Sequence, residues 1–139
     1  MTADASLVHV GRVRSMLKTL EQCPKQGSEG APVSRVEIDP PYRSALEGIE
    51  PGSQLVILTW LDQADRTALQ VHPRGNPDKP LTGVFCTRSP NRPNPIGLHD
   101  VRVVALQENG TLVVESLEVL DNTPVLDIKN MGSREAGTS

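Results

Sequence analysis

Aromatic side chains are scarce in this chain: Trp60, Tyr42 and Phe85 are the only ones, 2% of 139 residues. The core must therefore be built from Val, Leu, Ile and Ala, and a single-strand nucleic-acid platform, which relies on several rings, is disfavoured. A run of about twenty apolar residues is missing, as is a secretory leader pattern, so the expected setting is the cytoplasm, with no membrane. Cysteine is reduced to Cys23 and Cys86, far apart and without metal or redox spacing. Cys86 lies in an apolar run and reads as a small buried hydrophobe. The histidines His9, His72 and His99 lack ligand spacing and read as ordinary strand or loop residues, so no metal is expected. The net charge of −3 provides no overall attraction to a polyanion. Its distribution is uneven, because residues 71–92 carry Arg74, Lys79, Arg88 and Arg92 against Asp78 alone.

What is present is a series of short apolar stretches separated by turn residues. Strands are expected at Leu7–Val13, Val33–Ile38, Leu55–Leu61, Ala68–His72, Val84–Thr87, Ile96–Leu106, Leu112–Val119 and Val125–Ile128. Leu55–Leu61 is the most apolar and should be central. Tyr42–Gly48 reads as a short helix ended by glycine. Asn109-Gly110 supplies the positive φ angles of a hairpin turn. Residues 22–32 and 73–80 read as loops, the second because its three prolines exclude a central strand position. Hardly any helical periodicity and no glycine-rich fingerprint after the first strand argue against a doubly wound nucleotide fold. The reading is all-β: a small single-domain antiparallel β-barrel with short helical turns over residues 7–130, between a flexible N-terminus 1–6 and tail 131–139. No internal repeat is visible.

The most constrained stretch runs from Arg88 to Pro95, with two arginines and three prolines in eight residues. Each proline fixes its own φ and pushes the preceding residue out of the helical region. A segment pre-shaped in this way loses less entropy on ordering. It should present Arg88 and Arg92 from a stiff frame, suited to an anionic or planar group; a solvated surface loop is the plainer alternative.

Thr87-Arg88-Ser89-Pro90-Asn91-Arg92-Pro93-Asn94-Pro95-Ile96-Gly97-Leu98 resembles the signature of the TsaA-like (TrmO) family of S-adenosylmethionine-dependent tRNA methyltransferases. Val10–Ser15 resembles the family's opening strand, and Ile38–Tyr42 and Ala45–Ile49 its next turn and short helix. Leu120–Lys129 resembles its closing motif. The resemblance spans about residues 7–130 and implies a small β-barrel, a homodimer, and S-adenosylmethionine as cofactor. It implies as substrate N6 of the threonylcarbamoylated adenosine in the tRNA anticodon loop.

By the same resemblance the cofactor contacts fall on Pro24, Lys25 and Gln26, on Leu61 and Asp62, on Arg88 and Leu98, and on Leu120, Asp121, Asn122 and Thr123. Read from residue type alone, Leu61 and Leu98 are ordinary core packing, and Asp121–Pro124 is a turn in which Asp and Asn bond their own backbone. Arg88 reads as a carboxylate or phosphate binder, with an ion pair as the alternative. Asp62 and Asp121, from their places in the matched segments, are the candidate general bases. The chain departs from the family pattern at Leu61-Asp62, where many members have Phe-His, and at Asn130-Met131, where the usual ending is Pro-Tyr. Larger members continue into a second domain linked to tRNA. Two other readings are a cofactor-binding module without tRNA activity and a methyltransferase acting on a small molecule.

Overall fold

Along β3 (Gln54–Trp60), Leu55, Ile57 and Thr59 are buried while the residues between them are not, so period-two alternation decides which face turns inward. β3 pairs antiparallel with β6 (Ile96–Gln107) on one side and β8 (Pro124–Asn130) on the other. β1 (Gly11–Arg14), β2 (Ser34–Ile38) and β7 (Thr111–Glu115) complete the set. This is a computed structural model, and it describes residues 5–15 and 33–132.

The six strands follow one another in the order β1-β2-β7-β6-β3-β8, and β8 pairs back onto β1 through Gly11–Val125 and Arg12–Pro124. Closing the ring removes the free edges that would otherwise invite a foreign strand. Register shifts at Leu58/Thr59 and Val103/Ala105 supply the extra twist that a small closed sheet needs. The inward positions are aliphatic: Val13, Val36, Ile57, Val103, Leu112, Val114, Leu117 and Val125 are each 0% exposed. The expectation of a mostly β chain with an aliphatic core is thus met. Helical structure among the described residues is confined to 3-10 turns at Pro40–Leu46, Pro73–Gly75 and Val84–Cys86.

Several local expectations need correction. Val84–Thr87 is not a strand: Val84–Cys86 is a 3-10 turn in which only Val84 is buried. Cys86 is accordingly exposed and not a buried hydrophobe. A three-residue apolar run cannot by itself distinguish one buried side chain from three. Ala68–His72 shrinks to β4 (Gln70–Val71), which pairs with β5 (Thr82–Gly83) as a separate two-stranded ribbon. The first strand begins at Gly11, since Leu7 and Val8 lie exposed. The strand placed at Leu112–Val119 ends at Glu115, because Ser116 adopts a φ of 70°. Leu117 and Val119 stay buried in the connection that follows. At the Asn109-Gly110 turn only Gly110 takes a positive φ, 81°. The Arg43 side chain also lies over it, so a Cβ there would meet Arg43 Cδ at 2.7 Å.

Candidate functional site

The proline segment follows the Val84–Cys86 turn and is fastened from inside by Arg92. Its Nη1 donates to the carbonyls of Thr87 (3.0 Å) and Ser89 (2.9 Å), and its Nη2 donates to that of Val84 (3.0 Å). A planar fork can serve three carbonyls at once, which no other side chain does as well. Short polar side chains continue the work. Thr87 Oγ1 donates to the Val84 carbonyl and accepts from the Ser89 amide, and Ser89 Oγ accepts from the Asn91 amide. From the neighbouring loop, Arg66 stacks 5.1 Å from the Trp60 ring centre and donates Nε to the Pro93 carbonyl at 2.8 Å. The Asp65 amide donates to Asn91 Oδ1, and the Leu61 amide to the Pro95 carbonyl.

The two arginines therefore divide their roles. Arg92, expected to be presented outward, is turned onto its own backbone. Arg88 is exposed, and among the described residues it has neither a hydrogen-bond nor an ion-pair partner. It lines an open cleft of about 1520 Å³ between the proline segment, the end of β3 and the 116–123 connection.

Of the residues expected at the site, Leu61, Asp62, Arg88, Leu98, Leu120 and Thr123 line this one cleft. Leu98 is 47% exposed on the outward face of β6, so it is not core packing. Leu61 is half-buried against the core. Thr123 Oγ1 donates to the Leu120 carbonyl at 2.7 Å, closing the turn that presents both residues. Asp121 and Asn122 stand apart from the cleft. Asp121 lines a smaller depression with Arg14, Ser15 and Arg35, and its Oδ1 accepts the Ser15 amide at 2.9 Å. Asn122 Oδ1 accepts from Arg14 Nη1 at 3.0 Å. Pro24, Lys25 and Gln26 lie outside the described residues.

His99 and Thr59 belong to the cleft region although their residue types did not mark them. His99 lines the cleft, and its Nε2 sits 2.8 Å from Thr59 Oγ1, itself 0% exposed. Gly97 makes the room: any Cβ there would collide with Thr59 Oγ1 and with His99 Nε2. Burial pushes the imidazole down to about 4, opposed by the neighbouring Asp100, so the ring is neutral at pH 7. A lone Thr in an apolar strand and an inward His two residues after a glycine are the only sequence traces of this pair. The cleft as a whole combines the Arg88 guanidinium, unpaired among the described residues, apolar walls from Leu61, Val119 and Leu120, and the Asp62 carboxylate. Such a site suits a ligand with one anionic end and a flat apolar body.

Residues 12–133 match the tRNA-methyltransferase O N-terminal domain. The chain belongs to this family. It is 43% identical over 126 residues to the probable S-adenosyl-L-methionine-binding protein VirR of Rhizobium radiobacter, covering 91% of this chain and 70% of that one. A probable S-adenosyl-L-methionine-binding protein of Methanothermobacter thermautotrophicus is 45% identical over 121 residues, covering 86% and 85% respectively. The crystal structure of TrmO from P. aeruginosa superposes with a TM-score of 0.74 at 32% identity, covering 99% of this chain and 59% of that one. The chain thus spans about 60% of the length of the solved TrmO structures. In this TrmO-like domain the Arg88 segment is held from within by Arg92. No helix of the described residues is long and apolar enough to cross a membrane.

Proposed function

We propose that the chain binds S-adenosylmethionine in the Arg88 cleft and methylates N6 of threonylcarbamoyladenosine in the tRNA anticodon loop, acting as a cytoplasmic homodimer. The observation that carries this reading is the Arg88 guanidinium, unpartnered among the described residues, on the wall of a cleft of mixed apolar and polar lining, in a chain of this family. Arg88 would hold the carboxylate of the methionine end, and Leu61, Leu98 and Leu120 would flank the adenine. The mixed character of the cleft suits such a ligand, and its volume leaves room for an acceptor beside it. The group supplies an electrophilic methyl on a positively charged sulfur. The chain's own share is alignment of the acceptor and exclusion of water. Asp62, at the rim, would accept the N–H proton, which the carbamoyl group already makes more acidic; Asp121, engaged by Ser15 outside the cleft, is the weaker candidate.

A purified-protein assay with methyl-labelled S-adenosylmethionine and threonylcarbamoylated tRNA tests the proposal. Nucleoside mass spectrometry should find the modified adenosine heavier by one methyl group, and Asp62→Asn should lower turnover about a hundredfold. Incorporation without tRNA would favour the small-molecule reading. Binding with no transfer to either would favour a cofactor-binding module, the alternative supported by the relatives' names and the net charge of −3.

A further inference from the structure

The β4–β5 ribbon pairs with no strand of the ring, yet it forms one wall of the cleft through Val71, His72 and Leu81. Its connecting loop is held by its own hydrogen bonds: His72 Nδ1 with the Lys79 carbonyl at 2.8 Å, and the Lys79 amide to the Asn76 carbonyl at 3.0 Å. Immediately after the ribbon stands Phe85. It is the only phenylalanine of the chain and is 85% exposed, although Val84 beside it is 2% exposed and anchors the turn. Leu69, whose carbonyl accepts the Val84 amide, is exposed as well. In an aliphatic protein with so few rings, a phenyl group left in water one residue before Cys86, which lines the cleft, together with exposed Leu69 and Leu81, calls for an occupant.

The surrounding charge indicates which kind. Arg74, Lys79 and Arg88 lie within the same stretch, and Asp78 is the sole acid between residues 69 and 92. A second copy of this chain packed two-fold on the ribbon would set these cations against each other. A strand of phosphates would meet them with opposite sign. We propose that the ribbon and the Phe85 turn are the docking surface for an unpaired RNA loop, with Phe85 stacked on one exposed base and Lys79 and Arg74 beside its phosphates. This rests on the RNA-methylation reading above and names the surface that would bring the acceptor to the cleft. A single ring can hold one base, which is less than a sequence-tolerant strand platform needs but sufficient to fix a loop at one position.

The test measures binding of the full chain to a fluorescently labelled RNA hairpin, and to a fully paired RNA duplex, by anisotropy over a salt series. Phe85→Ala should weaken hairpin binding about tenfold and leave duplex binding unchanged, and Phe85→Trp should restore it. Lys79→Ala should weaken both RNAs and reduce the salt slope by about one. Circular dichroism confirms that the variants fold, and calorimetry with S-adenosylmethionine confirms an intact cleft. Wild-type binding with Phe85→Ala indistinguishable from it would overturn the docking surface while leaving RNA methylation standing. Wild-type protein that binds S-adenosylmethionine but no RNA would remove both. A shift of Phe85→Ala from dimer to monomer in sedimentation, with RNA affinity retained, would assign the patch to self-association instead.

Discussion

Arg88 and Arg92 are four residues apart in the same stiff segment, and their fates differ because their surroundings differ. Arg92 finds three part-buried carbonyls within 3.0 Å, and its planar fork satisfies them together, so its guanidinium is committed to the backbone. Arg88 finds no protein acceptor among the described residues and remains available to a ligand. Arg88→Ala should therefore abolish most cofactor affinity, by ~1.5–3 kcal/mol, while the thermal midpoint stays put. Calorimetry giving wild-type affinity in the folded variant would dismiss the assignment. Cys86 shows the opposite lesson: its apolar neighbours suggested burial, but a 3-10 turn rotates successive side chains apart, and it faces solvent.

At the scale of elements, the proline segment was expected to be stiff because of its prolines. The structure adds a second cause, since the segment is tied at one end by Arg92, in the middle by Arg66 and Asn91, and at the other by the Leu61–Pro95 hydrogen bond. Substituting Arg92→Ala takes the Arg92 donor from the Thr87 and Ser89 carbonyls, whereas the Val84 carbonyl keeps the Thr87 amide and hydroxyl. Stability should fall by roughly 1–3 kcal/mol, and Arg92→Lys should recover little, because an ammonium has no planar fork. Hydrogen exchange localises the effect: amides near Thr87 and Ser89 should lose protection while β3 keeps its own. Uniform loss across the ring would show that Arg92 acts on the whole fold. The strands themselves were largely legible, because alternation along β2, β3 and β6 follows from covalent geometry alone. Their ends were less so: Ser116 leaves the extended region despite an apolar sequence on both sides.

For the molecule as a whole, the neutral His99 inside the ring links stability to pH. Unfolded, this imidazole takes up a proton near pH 6.5, whereas in the folded protein it does so near 4. Between those values the unfolded chain binds more protons, so stability rises with pH. The contribution is complete above about 6.5 and is lost as pH falls to about 4, amounting to roughly 3 kcal/mol. His99→Gln, which retains a hydrogen-bonding group for Thr59, should flatten this part of the denaturation profile. Equal losses in variant and wild type between pH 7 and 5 would show that carboxylates carry the effect. Periodicity, turn residues and the arginine–proline signature were readable from the chain, because each depends on residues a few positions apart. The pairing of His99 with Thr59 and the separation of Asp121 from Asp62 were decided only by the closed sheet. They depend on register between segments as much as 40 residues or more apart, such as Thr59 and His99, and on which faces the ring turns toward the cleft. No local pattern encodes either.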